Sequence, residues 1–202
     1  PFRKALHKVA GIHSDARIPP YESRPLRKRM ASLASLEPGD AKSGTKTRGK
    51  VALFATCYAN HNEPVLGEDL VAVLEHNGIP VTIAQQEHCC GMPKLELGDL
   101  ASVQKAKEQN IPQLAQLVDK GWDLMALVPS CVLMFKQELP LLFPDDKSVR
   151  KVADAFFDPF EYLMLRYAEG LMNTEFRQSL GSVVYHASCH QRVQNIGHKT
   201  RD

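Results

Sequence analysis

From residue 50 onward, short apolar runs alternate with amphipathic stretches, and each run leads within a few residues to a cysteine. KVALFAT leads to Cys57, IPVTIA to the pair Cys89-Cys90, DLMALVPS to Cys131 and GSVVYHAS to Cys189. Such alternation specifies an α/β fold with a mostly parallel sheet covered by helices on both faces, because parallel strands need crossover connections that helices supply. The predicted strands cover 50–55, 79–84, 123–128 and 181–186. In open α/β sheets ligands bind in the crevice beyond the carboxyl ends of the strands, so thiols from three successive strand ends would meet at one point. The fourth run repeats the arrangement and reads as the opening of a second copy of the unit.

A helix is predicted over 64–76, where Val65, Leu66, Leu70, Val73 and Leu74 recur at helical spacing before Gly78 stops it. Another covers about 98–119, broken or kinked at Pro112 and closed by Gly121. Helical material follows at 148–170. There Phe156, Phe157, Phe160, Tyr162 and Leu163 read as core packing around a helix with Asp158 as cap and Pro159 in the first turn. Short helices at 3–10 and 26–36 flank a proline-rich connection, and EPGDAKSGTKTRGK lacks any apolar periodicity. The chain therefore divides into an irregular basic arm at 1–49, a body at 50–180 and the start of a second, truncated unit at 181–202.

Charge follows the same division. Residues 1–50 hold 12 Lys+Arg against 4 Asp+Glu, a net of +8, whereas residues 51–202 hold 13 against 19, a net of −6. The arm reads as a solvated extension or as a contact for a partner protein or an acidic membrane surface. Nucleic acid is not expected, since the arm lacks interleaved aromatics and the body lacks a reader motif. No stretch approaches the roughly 20 apolar residues of a membrane span. The basic start also lacks the apolar segment of a signal peptide, so the expected compartment is the cytoplasm, where thiols stay reduced.

An odd count of five cysteines argues against a closed disulfide framework. Cys57 and Cys89 are separated by 31 residues and Cys90 and Cys131 by 40, so only a fold can bring them together. Consecutive side chains diverge, and adjacent cysteines therefore suit the different irons of a polynuclear cluster better than one zinc ion. Two blander readings stand beside this one: free cysteine as a small buried hydrophobe, and a redox dithiol at Cys89-Cys90, which explains neither Cys57 nor Cys131. His88, His186 and His190 flank the cysteines and read as ligands, proton carriers or, more simply, outer groups at the surface. No G-x-G-x-x-G or P-loop string supports nucleotide binding, and no G-x-S-x-G or H-E-x-x-H string supports a hydrolase.

The strings FATCYANHNEP, HCCGMPKLELGDL, VPSCVLMFKQELPLLFPDD and YHASCHQRVQNIG together resemble the cysteine-rich "CCG" module. This module occurs in the B subunit of heterodisulfide reductase and in the C subunit of anaerobic glycerol-3-phosphate dehydrogenase, the closer of the two. The resemblance covers about residues 50–202. It implies a Rossmann-like α/β domain holding an iron–sulfur cluster, with Cys57, Cys89, Cys90 and Cys131 matching the first four ligands. Met134 stands where the closing cysteine of the motif belongs, which points to a four-thiolate 4Fe-4S cluster in place of the five-thiolate noncubane form, with zinc as the lesser alternative. Cys189 matches the opening ligand of a second module. The arm is similar to the connection that follows a ferredoxin-like module, whose C-x-x-C-x-x-C run is absent here.

What the resemblance implies is a non-catalytic or redox subunit of an oxidoreductase, relaying electrons between flavoprotein dehydrogenase subunits and quinone or another acceptor. Contact with the cytoplasmic face of the inner membrane would be peripheral. The rivals are a heterodisulfide reductase-like catalytic module and a zinc-binding structural module, the latter without redox chemistry.

Overall fold

The computed structural model describes residues 2–17, 19–31, 42–179 and 181–201. Two short helices, α1 (Phe2–Ala10) and α2 (Leu26–Arg29), precede the body. The body begins with β1 (Val51–Phe54), α3 (Cys57–His61), α4 (Pro64–His76), β2 (Val81–Ile83), α5 (Met92–Glu96) and α6 (Leu100–Asp119). It continues through β3 (Asp123–Ala126), α7 (Pro129–Leu133), a π-helical turn (Met134–Glu138), α8 (Leu139–Leu142), α9 (Lys147–Asp154), β4 (Phe156–Phe157) and α10 (Pro159–Ala168). A last short helix, α11, spans Cys189–Arg192.

The four strands are parallel, in the order β2-β1-β3-β4. Val51 pairs with Val81 on one side and Asp123 on the other, and Leu124 pairs with Phe156. The two-residue period of a strand sorts the side chains onto two faces. Ala52, Phe54, Leu124, Ala126 and Phe156 enter one core with Val103, Ile111 and Leu114 of α6 and Val149 and Val152 of α9. Val51, Leu53, Met125 and Phe157 enter the other with Leu70 and Leu74 of α4, Tyr162 of α10 and Leu26 of α2. Both faces are thus covered, as the near-continuous apolar character of the central strands requires.

Local chemistry places the helix ends. Pro64 opens α4, and Gly78, at φ +65°, ends it with Gly78 N–H bonded to Glu75 O and Ile79 N–H to Leu74 O. Asp158 caps α10 by accepting from Phe160 N (2.9 Å) and Glu161 N (3.4 Å), with Pro159 in the first turn. Pro112 does not break α6, which runs through it. The proline lies on the exposed side, while Ile111, Leu114 and Ala115 beside it are buried, so packing outweighs the lost backbone bond.

The fourth strand is not at 181–186. Gly181 and residues 182–186 are irregular and exposed, Val184 at 98%, and Leu180 lies outside the described residues. The position beside β3 is taken by Phe156 and Phe157, which split the helical stretch expected at 148–170 into α9 and α10. Strand propensity is realised only against a partner, and the two phenylalanines reach β3 directly from α9. Phe160 is 44% exposed and is not core, whereas Tyr162 is fully buried. The helix expected over 26–36 is seen as α2; residues 32–36 lie outside the described residues.

Part of the basic segment is docked. Leu26 is fully buried against Gly67, where a Cβ would lie 2.3 Å from Leu26 Cδ2. Arg29 pairs with Glu22 and Glu68, and Arg48 donates to Trp122 O. α1, by contrast, buries none of its residues. Among the described residues no helix is long and apolar enough to cross a membrane.

Candidate metal centre

Strands β1 and β3 are neighbours, yet the chain leaves β1 toward β2 and leaves β3 toward β4. Divergence of the two connections is the arrangement in which open α/β sheets generally place their ligands, beyond the carboxyl ends of the two strands. Cys57 is the first residue of α3 after β1, Cys89 and Cys90 lie in the loop after β2, and Cys131 is in α7 after β3. Cys57 adjoins Cys89, Cys89 adjoins Cys90, and Cys90 adjoins Cys131. Cys90 and Cys131 are buried, each 4% exposed, while Cys57 and Cys89 are exposed. The four thiols form a row from surface to interior. They do not converge on one point: among the described residues no three Cys, His, Asp or Glu side chains are placed to hold a single metal ion.

Each segment of the row is held by groups outside the row. Thr56, before Cys57, has φ +61° and ψ 158°, a conformation almost reserved for glycine. Its hydroxyl accepts from Ala59 N at 3.1 Å. The carboxylate of Glu87 accepts from Ala55 N at 2.7 Å and faces the N–H of Thr56. Glu87 is in turn paired with Arg27 at 3.0 Å. On the β2 side, buried Asn110 of α6 accepts from His88 N (2.9 Å) and donates to Cys89 O (3.1 Å). Gly91, at φ +97°, takes a backbone conformation that favours glycine and packs against α6, where a Cβ would lie in ordinary contact at 3.4 Å from Ala106 Cβ.

Burial raises the Cys57 thiol above its ordinary range, and neighbouring Cys89 adds to the shift. Hydrogen bonding to Cys90, then burial, raises Cys89; hydrogen bonding to Cys131 raises Cys90, with burial adding to it. The backbone N–H groups of Tyr58, Gly91 and Met92 face the sulfurs of Cys57, Cys89 and Cys90 and pull the other way. The thiolate forms of Cys57, Cys89 and Cys90 are thus disfavoured in the absence of a cation, and N–H donors of this kind are ones that stabilise ligated thiolates in general. Met134, three residues after Cys131, is fully buried, with its methyl against Gly91.

The other sequence candidates lie outside the row. His88 and His186 are exposed, and His190 Nε2 lies 3.4 Å from Glu96 Oε1 of α5. Cys189 is exposed at the start of α11, capped by Ser188 accepting from Gln191 N. Arg27, Glu87 and Asn110 were not among the sequence candidates. Asn110 left a signal, a polar residue inside the apolar stripe of α6. Glu87 left none, because nothing local marks it as buried.

Residues 51–136 match the cysteine-rich domain family, CCG. The chain is 28% identical over 192 residues to the C subunit of anaerobic glycerol-3-phosphate dehydrogenase from Escherichia coli K12, covering 94% of this chain and 46% of that one. It is 32% identical over 141 residues to lactate utilization protein A of an Exiguobacterium species, covering 69% and 56%. The same protein of Bacillus cytotoxicus is 30% identical over 146 residues, covering 70% and 57%. The chain spans about half the length of these curated relatives. No solved structure matches it.

Proposed function

We propose, from the premise that this chain belongs through residues 51–136 to the cysteine-rich (CCG) domain family, that it is an iron–sulfur electron-transfer subunit of an oxidoreductase. The observation that carries the reading is the row of four thiols from three strand ends, Cys57, Cys89, Cys90 and Cys131. A row suits a polynuclear cluster, in which each thiolate meets a different iron, better than a single tetrahedral zinc. Met134 favours the four-thiolate 4Fe-4S form, because a fully buried thioether packed on Gly91 is a weak fifth ligand. When bound, such a cluster supplies a one-electron couple.

The protein's own part is to exclude water at Cys90 and Cys131 and to leave the Cys57–Cys89 edge open toward a redox partner. Electrons would come from a flavoprotein dehydrogenase and pass to quinone or another acceptor. The relative that is a dehydrogenase subunit supports this direction, and the relative named for lactate utilization fits the same scheme. Peripheral contact with the cytoplasmic face of a membrane would use cations of the basic segment that are not engaged inside the fold.

The test is iron, zinc and acid-labile sulfide content of protein purified without oxygen, with visible spectra before and after dithionite. Iron and sulfide in near-equal amounts, with absorbance that bleaches, is the expected result. Zinc alone, or no metal after reconstitution, overturns the reading.

A further inference from the structure

We propose that Glu87 is a positioning residue for Cys57, and that Arg27 couples the docked N-terminal segment to it; the inference rests on the reading of Cys57 as a cluster ligand. Thr56 sets the direction in which Cys57 leaves β1. A β-branched residue at φ +61° and ψ 158° is strained, and such strain persists only where surrounding contacts over-determine it. The Thr56 hydroxyl cap on Ala59 is one such contact. The other is Glu87, whose carboxylate takes the N–H of Ala55, one residue earlier, at 2.7 Å. Glu87 comes from the loop after β2, two residues before Cys89. One carboxylate thus ties the turn that presents Cys57 to the loop that presents Cys89 and Cys90.

Arg27 completes the tie from outside the sheet. Its guanidinium pairs with Glu87 at 3.0 Å and donates to Ala84 O and to Gln85 O, the carbonyls leading out of β2. Its own backbone N–H donates to Asn60 Oδ1 of α3 at 3.1 Å. Leu26 beside it is fully buried, so the segment is anchored by an apolar plug as well as by charge. The Glu87 side chain is only 7% exposed, and Arg27 is the cation the structure sets against it. Undocking of residues 25–29 would leave that carboxylate buried without its partner and release the turn before Cys57.

The experiment uses the full chain freed of metal and reads alkylation of each cysteine by peptide mapping, with Cys189 as the exposed internal standard. In Glu87→Ala the Cys57-to-Cys189 rate ratio should rise about tenfold, the scale of the strain released. Arg27→Met should move the ratio in the same direction as Glu87→Ala, by less. An unchanged ratio in Glu87→Ala, or a ratio in Arg27→Met no higher than the parent's, overturns the proposal. If Glu87→Ala fails to fold by circular dichroism, Glu87→Gln takes its place; it keeps an acceptor for Ala55 N and should raise the ratio about twofold, the loss of one charge pair, and no rise overturns the proposal. Because the readout needs no cluster, absence of iron from the native protein would sink the electron-transfer reading and leave this result standing on its own.

Discussion

Two segments of this chain look alike in sequence and differ in structure. KVALFATC and GSVVYHASC both read as an apolar strand running out to a cysteine. In the first, Val51–Phe54 lies between β2 and β3, all four residues are buried, and Cys57 joins the thiol row. In the second, residues 183–188 are irregular, Val183 and Val184 are exposed, and Cys189 stands at the surface. The β-branched content is similar. What differs is the neighbourhood: β1 has parallel partners on both sides, and among the described residues 181–188 form no ladder. The sheet is what brings Cys57 beside Cys89.

The sharpest way to break this contrast is at the cysteines. Cys90→Ser should abolish iron binding and visible absorbance, while Cys189→Ser should leave both at the parent level, measured by metal analysis and spectroscopy after reconstitution. Equal effects of the two would dissolve the distinction. Stability should separate the strands next. Leu53→Ala, at a fully buried site, should cost about 2–5 kcal/mol in denaturant unfolding, and Val184→Ala should stay within about 0.5 kcal/mol. Hydrogen exchange offers the same comparison without substitution: amides of Val51–Phe54 should be among the slowest and those of 183–187 among the fastest.

Two smaller effects sharpen the first unit. Asn110→Ala leaves His88 N–H and Cys89 O without their partner and should cost about 1–3 kcal/mol in unfolding. Asp146 accepts from Ser148 N and Val149 N at the start of α9 and pairs with Lys107 at 2.8 Å. The Lys107 bond, opposed in part by burial and aided by the backbone donors, holds its carboxyl below the usual range. A depressed carboxyl stabilises the fold above its unfolded value, about 3.9, and that contribution is lost as pH falls through the lower folded value. Asp146→Ala should therefore cost about 1 kcal/mol at neutral pH and progressively less in acid.

Much of the candidate site was legible residue by residue. Cys57, Cys89, Cys90 and Cys131 stand at strand ends as the alternating pattern demanded, and Gly91 takes the left-handed turn beside the pair. Their arrangement as a row and not a point was not legible, because it depends on how far each loop travels after its strand. Nor was the hold of Arg27 and Glu87, whose partners lie far away along the chain. Pro112 misled in the opposite direction: its local cost is real, but α6 is pressed onto the sheet along the whole of its buried face.

The amino-acid order by itself determined the α/β alternation, the helix caps at Pro64, Asp158 and Gly78, and the placement of thiols beyond strands β1, β2 and β3. These follow from short-range steric and hydrogen-bonding preferences that any stretch of chain carries with it. Only the tertiary structure decided that Phe156 and Phe157, not residues 181–186, complete the sheet, that Met134 is core, and that part of the basic segment is built into the body. Strand pairing, burial and buried ion pairs are properties of residues brought together from distant positions, and their free energy exists only once the whole sheet has formed.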